Sequence, residues 1–529
     1  MAVFSPTPAT SHRTSRAFAC RTSTAGHDAF APAPAQIDNG DEERYADKSG
    51  TYTKGILQLG VGVVDLAAYD TFKKALSSGS PTDFSAIKTG GPRTQNGPQG
   101  GLAFDLECPD ASQFTSPPAP RVASEEYAAE LVELYWGALL RDVPFGRYGT
   151  DGLADMAVSE LSGLAGYKGP KTGGNVTAGL LFRGSYPSTE KGPYLSQFMI
   201  KDAKFGALPI TQKYVPFAPG QDFMRDQANF LKVQNGQPTP ESITRLPNLQ
   251  YLQNGRALAA YTHEDVLYQA YFAAYLVISE LANRLKLQPG DYLNPGNPYL
   301  NYPNPKTQNG FDTFGDPDFA ATIASVARQA LNAVWYQKWF VHLRHRPESG
   351  GGLVWLIKNG QGGTVKAQPT TTVLNSMAVQ KTGAGQNGTF FLPQAFPEGS
   401  PTHPAYPTGH GAVAGACITA LKFFFKNDYK FPANEVFVPS DDGGTRTQYT
   451  GADAADLELH SELNKLAYNV SFGHGIHAGI HWRSDTETSI RLGEQVALSV
   501  LRDRAHTYNE KFTVRLTTLD GGTAVISNE

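Results

Sequence analysis

The chain has 529 residues, 40% of them hydrophobic, and a formal net charge of -4 from 45 basic and 49 acidic side chains. That is enough apolar material for a sizeable core, and the charge balance argues against a general nucleic-acid binder, which carries a basic excess. Cys20, Cys108 and Cys417 are far apart with no CxxC, so no disulfide framework or thiolate zinc site is expected, and a reducing compartment fits.

Residues 1–43 are poor in aliphatics and rich in Pro, Ala, Ser and Thr, and read as a disordered tail. Residues 1–26 carry Arg13, Arg16 and Arg21 with no acidic residue, a composition also shared by transit peptides. The apolar stretch of a secretory signal is missing, and no run reaches membrane-spanning length. The expectation is a soluble protein, cytoplasmic or organellar rather than secreted. GGPRTQNGPQGG (90–101) reads as a loop, without a P-loop lysine signature.

Helical periodicity then recurs along the chain. SEEYAAELVELYWGALL (124–140) opens on a Ser N-cap followed by two glutamates. EDVLYQAYFAAYLVISELANRL (264–285) is apolar on most sides and expected to be buried. Residues 316–345 start with Asp-Pro and end before Arg346-Pro347. Residues 409–426, 453–481 and 486–504 complete the set. Proline- and glycine-rich connections such as 289–310 lie between them, and GGLVWLI (351–357), EVFVP (435–439) and FTVRLTTL (512–519) are candidate strands. The fold class is mainly α, with long ordered loops and a few short strands.

Three segments carry chemistry. KWFVHLRHRP holds Lys338 and Arg346, PTHPAYPTGHG holds His403, Thr408, Gly409 and His410, and GHGIHAGIHWRSD holds His474, His477, His481 and Asp485. In PTGHG a helix is expected to start at the glycine. Its unpaired N–H groups and positive dipole end attract an anion. Thr408 adds a hydroxyl, His410 can give or take a proton, and Lys338 and Arg346 supply two positive charges. That combination suits a tetrahedral or bipyramidal oxyanion better than a bare cation. In the third segment the spacing places three imidazoles roughly on one helical face. This leaves open whether they are three ligands of one metal or one ligand with two differently employed neighbours.

In this order the motifs resemble the vanadium-dependent haloperoxidases, especially the algal and cyanobacterial bromoperoxidase branch, within a superfamily shared with the type 2 phosphatidic acid phosphatases. The Lys338 to Arg346-Pro347 spacing and His403, seven residues before His410, are similar to that branch. So are LAFDLECPD (102–110), YAAELVELYWGALLRDVPF (127–145) and LFRGSYP (181–187), so the resemblance spans roughly residues 50–505. It implies two helical-bundle halves in a single domain over 44–529, with the active-site half at about 260–505. It implies vanadate as cofactor, with His481 as metal ligand. Lys338, Arg346, Thr408 and the Gly409 amide would hold the oxygens, His410 would be the acid–base residue, and His403 would tune the halide site. Trp335 would wall it. The implied reaction is oxidation of bromide or iodide by hydrogen peroxide to hypohalous acid, which halogenates small organic acceptors. A homo-oligomer and a structural calcium are further expectations, although no acidic loop locates the calcium.

Two departures stand out. Thr408 occupies the place of the usual serine and keeps the hydroxyl. Gly475 occupies the place of an arginine six residues before the ligand histidine, so one cation of the cradle is missing. His474 and His477 are then candidate substitutes, as neutral or protonated donors whose anion affinity would fall as pH rises. A phosphatase using the same cradle, or a degenerate relative that has lost its cofactor, are the rival readings.

Overall fold

The computed structural model describes residues 6–301 and 307–529; residues 1–5 of the expected tail and 302–306 of the loop 289–310 lie outside the described residues. Helices dominate. Within the stretch read as a disordered tail lies α1 (Arg13–Ala29), a helix with no buried residue. It touches the body through Cys20, whose thiol meets the His506 carbonyl at 3.7 Å, and Gln113, which donates to the Asp28 carbonyl at 2.8 Å. Next comes α2 (Leu66–Ser78), started by the Asp65 side chain, which accepts from the Ala68 amide. Helix α3 (Glu125–Leu139) starts as its sequence demands, with the Ser124 hydroxyl accepting from the Tyr127 amide. Such a cap contributes about 1 kcal/mol. Every residue from Tyr127 to Ala138 is buried.

The half that holds the three motifs is built from α4 (Gln269–Leu285), α5 (Asp316–Tyr336), α6 (Pro347–Lys358), α7 (Gly409–Phe424), α8 (Leu459–Phe472) and α9 (Arg483–Ala505). Its axis is α7, buried along its whole length and packed against α5, α8 and α9. The small residues early in α7 are there for backbone approach. A Cβ on Gly415 would lie 1.9 Å from the Ile490 carbonyl oxygen, and one on Gly493 would lie 2.0 Å from that of Ala412. Helices α7 and α9 therefore meet backbone to backbone, and any side chain at Gly415 would have to push α9 away. The bulky end, Leu421, Phe423 and Phe424, fills the core beyond; each fully buried side chain of this size contributes about 1.5–3 kcal/mol.

The strands among the described residues pair as two-stranded antiparallel hairpins, with isolated bridges elsewhere. Two of the three candidate strands are found, at Phe437–Pro439 and Thr513–Thr517. The third is corrected: GGLVWLI lies inside α6, with Pro347 in its first turn. Its glycines serve contact rather than strand formation. Cβ atoms at Gly351 and Gly352 would come within 2.6 Å of the Leu392 amide nitrogen and 2.7 Å of Phe230 Cζ respectively. Two other helices differ from their expected spans. Helix α4 starts at Gln269, after a turn that carries His263 and Asp265. The long helix expected over 453–481 is α-helical only to Phe472, and Gly473–His477 forms a wider π-helical turn.

Candidate functional site

Two wide turns deliver site residues. The first, Gln337–His342, continues α5 with π-helical pitch. Leu343 then adopts a left-handed conformation (φ 45°) and reverses the chain into Arg346. The reversal brings Arg346 back toward Lys338, and both side chains reach the 403–405 segment. Lys338 Nζ donates to the carbonyls of Pro404 and Ala405 at 2.8 and 2.9 Å, and Arg346 Nε donates to the His403 carbonyl at 2.9 Å. Wide turns of this kind often occur at functional positions. They also displace every later residue from α-helical register, which spacing arguments cannot anticipate.

Lys338 and Arg346 are 0% and 1% exposed. Among the described residues neither has a carboxylate within ion-pair distance; their partners are carbonyls and imidazoles. Burial, and next the neighbouring Arg346, pushes the Lys338 ammonium well below its ordinary range, and burial brings Arg346 down to about 10. Two buried cations with no carboxylate at ion-pair distance are unfavourable unless an anion joins them.

His481 sits between them and a carboxylate. Its Nδ1 donates to Asp485 Oδ2 at 2.9 Å, so the lone pair is at Nε2, where Arg346 Nη1 approaches to 2.7 Å. A carboxylate behind a ligand imidazole fixes its tautomer and raises its basicity. Asp485 is in turn held by Arg344 Nη1 at 2.7 Å, and Arg344 Nη2 reaches Glu130 of α3 at 2.8 Å. Arg344 is thus neutralised on both sides while Arg346 is not.

The start of α7 completes the cradle. The first-turn amides of a helix have no acceptor within it, and the Thr408 hydroxyl is buried with no partner. Trp335 walls this end: a Cβ on Gly409 would meet its ring at 3.1 Å, and His403 lies 4.9 Å from it, ring centre to ring centre. The 90–101 loop packs here too, with Gly101 against the Trp335 backbone. His410 Nε2 donates to Asp265, 3.1 Å from both carboxylate oxygens, which leaves Nδ1 as the free nitrogen. Every residue singled out from sequence as cradle, acid–base group or ligand therefore converges: Lys338, Arg346, His403, Thr408, Gly409, His410 and His481.

The other two histidines of the third motif part company. His474 stacks on His410 with ring centres 3.7 Å apart. His477 is elsewhere. Its Nε2 meets Tyr194 Oη at 3.0 Å, with Phe145 and Phe182 around its ring. This removes the three-imidazole alternative, and no group of three or more His, Cys, Asp or Glu side chains placed to hold a metal occurs among the described residues. It also corrects the expectation of titrating donors. Burial holds His474 well below the ordinary imidazole range and His477 at about 3, so both are neutral near pH 7.

Asp265 was missed from sequence. It stands in a turn with no motif of its own, and the only signal was an acidic residue at the expected head of an apolar helix.

The family model for the VCPO second helical-bundle domain matches residues 318–510, which include all three motifs. A vanadium-dependent bromoperoxidase of Corallina officinalis is 35% identical over 80% of this chain and 78% of its own length. One from Ascophyllum nodosum is 31% identical over 96% of this chain and 91% of its own. The homohexameric structure of a second vanadate-dependent bromoperoxidase from Ascophyllum nodosum superposes with a TM-score of 0.89 at 26% identity, covering 99% of this chain and 92% of that one. With kinship of this extent over most of its length, the chain belongs to the vanadium-dependent bromoperoxidase family.

Proposed function

We propose that this chain is a vanadate-dependent bromoperoxidase, and that the cradle described above is its cofactor and catalytic site. The observation that carries the reading is the pair of buried cations, Lys338 and Arg346, with no carboxylate at ion-pair distance among the described residues, beside a histidine whose Nε2 lone pair accepts from Arg346 Nη1 at 2.7 Å. Vanadate suits this donor set: an imidazole for the metal, and two cations, a buried hydroxyl and helix-start amides for oxyanion oxygens. When bound, vanadate supplies a Lewis acid that activates the O–O bond of hydrogen peroxide without changing oxidation state.

The protein groups have separate tasks. His481 presents Nε2, its ring held by Asp485 through Nδ1. Thr408 and the Gly409 amide donate to oxygens at the start of α7. Lys338 has three N–H donors, of which two go to Pro404 and Ala405. The third is left to polarise the oxygen that departs. His410 takes the peroxide proton at Nδ1, and Asp265 behind Nε2 stabilises the resulting imidazolium. His403 and Trp335 form the wall beside which bromide or iodide approaches. Bromide loses two electrons as the O–O bond breaks; His410 returns its proton and one more enters from solvent, so one oxygen leaves in hypobromous acid and the other as water. The hypohalous acid then halogenates small organic acceptors.

Homo-oligomerisation is part of the proposal. Besides the homohexameric relative, Phe18, Phe30, Phe104 and Leu106 are exposed by 69% or more, which leaves apolar surface for a second copy. No helix among the described residues is long and apolar enough to cross a membrane.

The test is bromide oxidation by the purified protein, omitting vanadate, hydrogen peroxide or bromide in turn. Activity that needs all three supports the reading. Turnover of a phosphate ester that vanadate inhibits, without bromide oxidation, would replace it with a phosphatase.

A further inference from the structure

The wide turn at Gly473–His477 carries His474, whose imidazole stacks on His410. The two rings are 26° from parallel with centres 3.7 Å apart. His474 is pinned from behind, since its Nδ1 lies 3.2 Å from the Thr262 carbonyl and must donate to it. Thr262 is itself fixed, its hydroxyl bonded to the carbonyls of Leu258 and Ala259. Three residues on, Asp265 holds the edge of His410 through Nε2. One short segment, 262–265, therefore anchors His410 twice, directly at its edge and through His474 at its face. The His474 ring also lies 5.8 Å from His481, centre to centre, so it stands against both imidazoles of the site.

We infer that His474 is a positioning residue for the acid–base step: its stacked ring fixes the plane of His410 so that Nδ1 faces the reacting oxygen. The inference rests on the proposal that His410 is the acid–base residue. An edge bond to Asp265 alone lets the imidazole swing about that bond, and the stack removes that freedom. A ring misaligned with the proton it must take costs about 10- to 100-fold in rate without loosening a ligand held by other groups.

The experiment compares wild type, His474→Ala and His474→Phe in two ways. The first is the kcat and bromide KM of the vanadate-loaded enzyme. The second is nitrogen NMR of histidine-labelled protein without vanadate, with the His410 signals assigned from a His410→Gln sample. The expected result is a kcat about 10- to 100-fold lower in His474→Ala with bromide KM unchanged, and His410 signals that shift from a single Nε2–H tautomer to a mixture. His474→Phe, which keeps a flat ring, recovers at least part of both. Unchanged His410 signals and kcat in His474→Ala would overturn the inference. If the alanine variant does not fold, His474→Phe decides: a kcat loss beyond 100-fold with mixed His410 tautomers would overturn the stacking role. A wild type with no vanadate-dependent activity would instead sink the acid–base proposal, while the NMR comparison would still report on the stack.

Discussion

Gly475 is the position where this chain departs most from the pattern it resembles, and Gly475→Arg is the change whose outcome the structure constrains most tightly. The backbone there is not in the left-handed region, so a side chain adds no strain. A Cβ would meet His481 Cβ at 3.4 Å and Thr486 Oγ1 at 3.5 Å, which is ordinary contact, whereas one at neighbouring Gly473 would come within 2.9 Å of Leu258 Cβ. Thr486 Oγ1 is buried and without a partner, so the guanidinium gains a local acceptor. A hydrogen bond between a charged donor and an oxyanion contributes about 1.5–3 kcal/mol, roughly 10- to 150-fold in Kd. A third buried cation beside Lys338 and Arg346 carries a desolvation and repulsion penalty, which favours the low end, about tenfold. Calorimetric titration of the vanadate-free protein with orthovanadate measures it, with Gly475→Gln as an uncharged control of similar reach. Unchanged or weaker binding in a normally folded arginine variant would mean that position 475 does not face the oxyanion, and the reasoning about the missing cation would fall.

Three further outcomes follow from the geometry. Asp265→Asn should lower kcat by about 100-fold or more, the usual size of a lost acid–base contribution, while vanadate affinity stays within a few-fold, because Asp265 touches only His410 in the cradle; steady-state kinetics beside a binding titration separates the two. Lys338, depressed by burial and by Arg346, should regain its proton when an anion arrives. Oxyanion binding at alkaline pH should therefore take up a proton and weaken as pH rises, and calorimetry in buffers of different ionisation enthalpy should show smaller uptake in Lys338→Met. His477 is neutral in the fold, with a pKa of about 3 against an ordinary 6.5. A depressed group contributes stability that is full above the unfolded value and lost as pH falls toward the folded one, here between about 6.5 and 3. His477→Phe should flatten the acid decline in unfolding free energy by about 1.4 kcal/mol per pH unit in that window, read from urea melts at pH 7 and 4.5.

The cradle was legible in the sequence because its parts are local and chemically specific. A helix start after PTG, a lysine and an arginine closing one helical segment, and HxxxD each state their own geometry. What was not legible depends on register or on distance along the chain. Two π-helical turns decide which histidines face the pocket, and apolar periodicity contains no signal for an extra residue per turn; hence His474 and His477 were paired in reading and are separated in space. Asp265 reaches His410 across 145 residues. GGLVWLI reads equally well as a short strand or a buried helix, and the close contacts of its glycines with Leu392 and Phe230 have no signal in the sequence. The glycines of α7 and α9 look like helix weaknesses in sequence, yet they are the contact surface of the buried axis.

The proposed cofactor is an oxyanion held on His481 beside two cations, Lys338 and Arg346, that have no carboxylate at ion-pair distance among the described residues. The most direct measurement is vanadate binding and bromide-dependent peroxidase activity of His481→Ala beside the wild type, each prepared without vanadate and then supplied with it. The wild type should gain activity only on adding vanadate. The variant, still folded and still carrying Lys338 and Arg346, should bind vanadate weakly and reversibly as a free oxyanion and show no bromide oxidation. Equal vanadate affinity and equal activity in the two proteins would contradict the proposal.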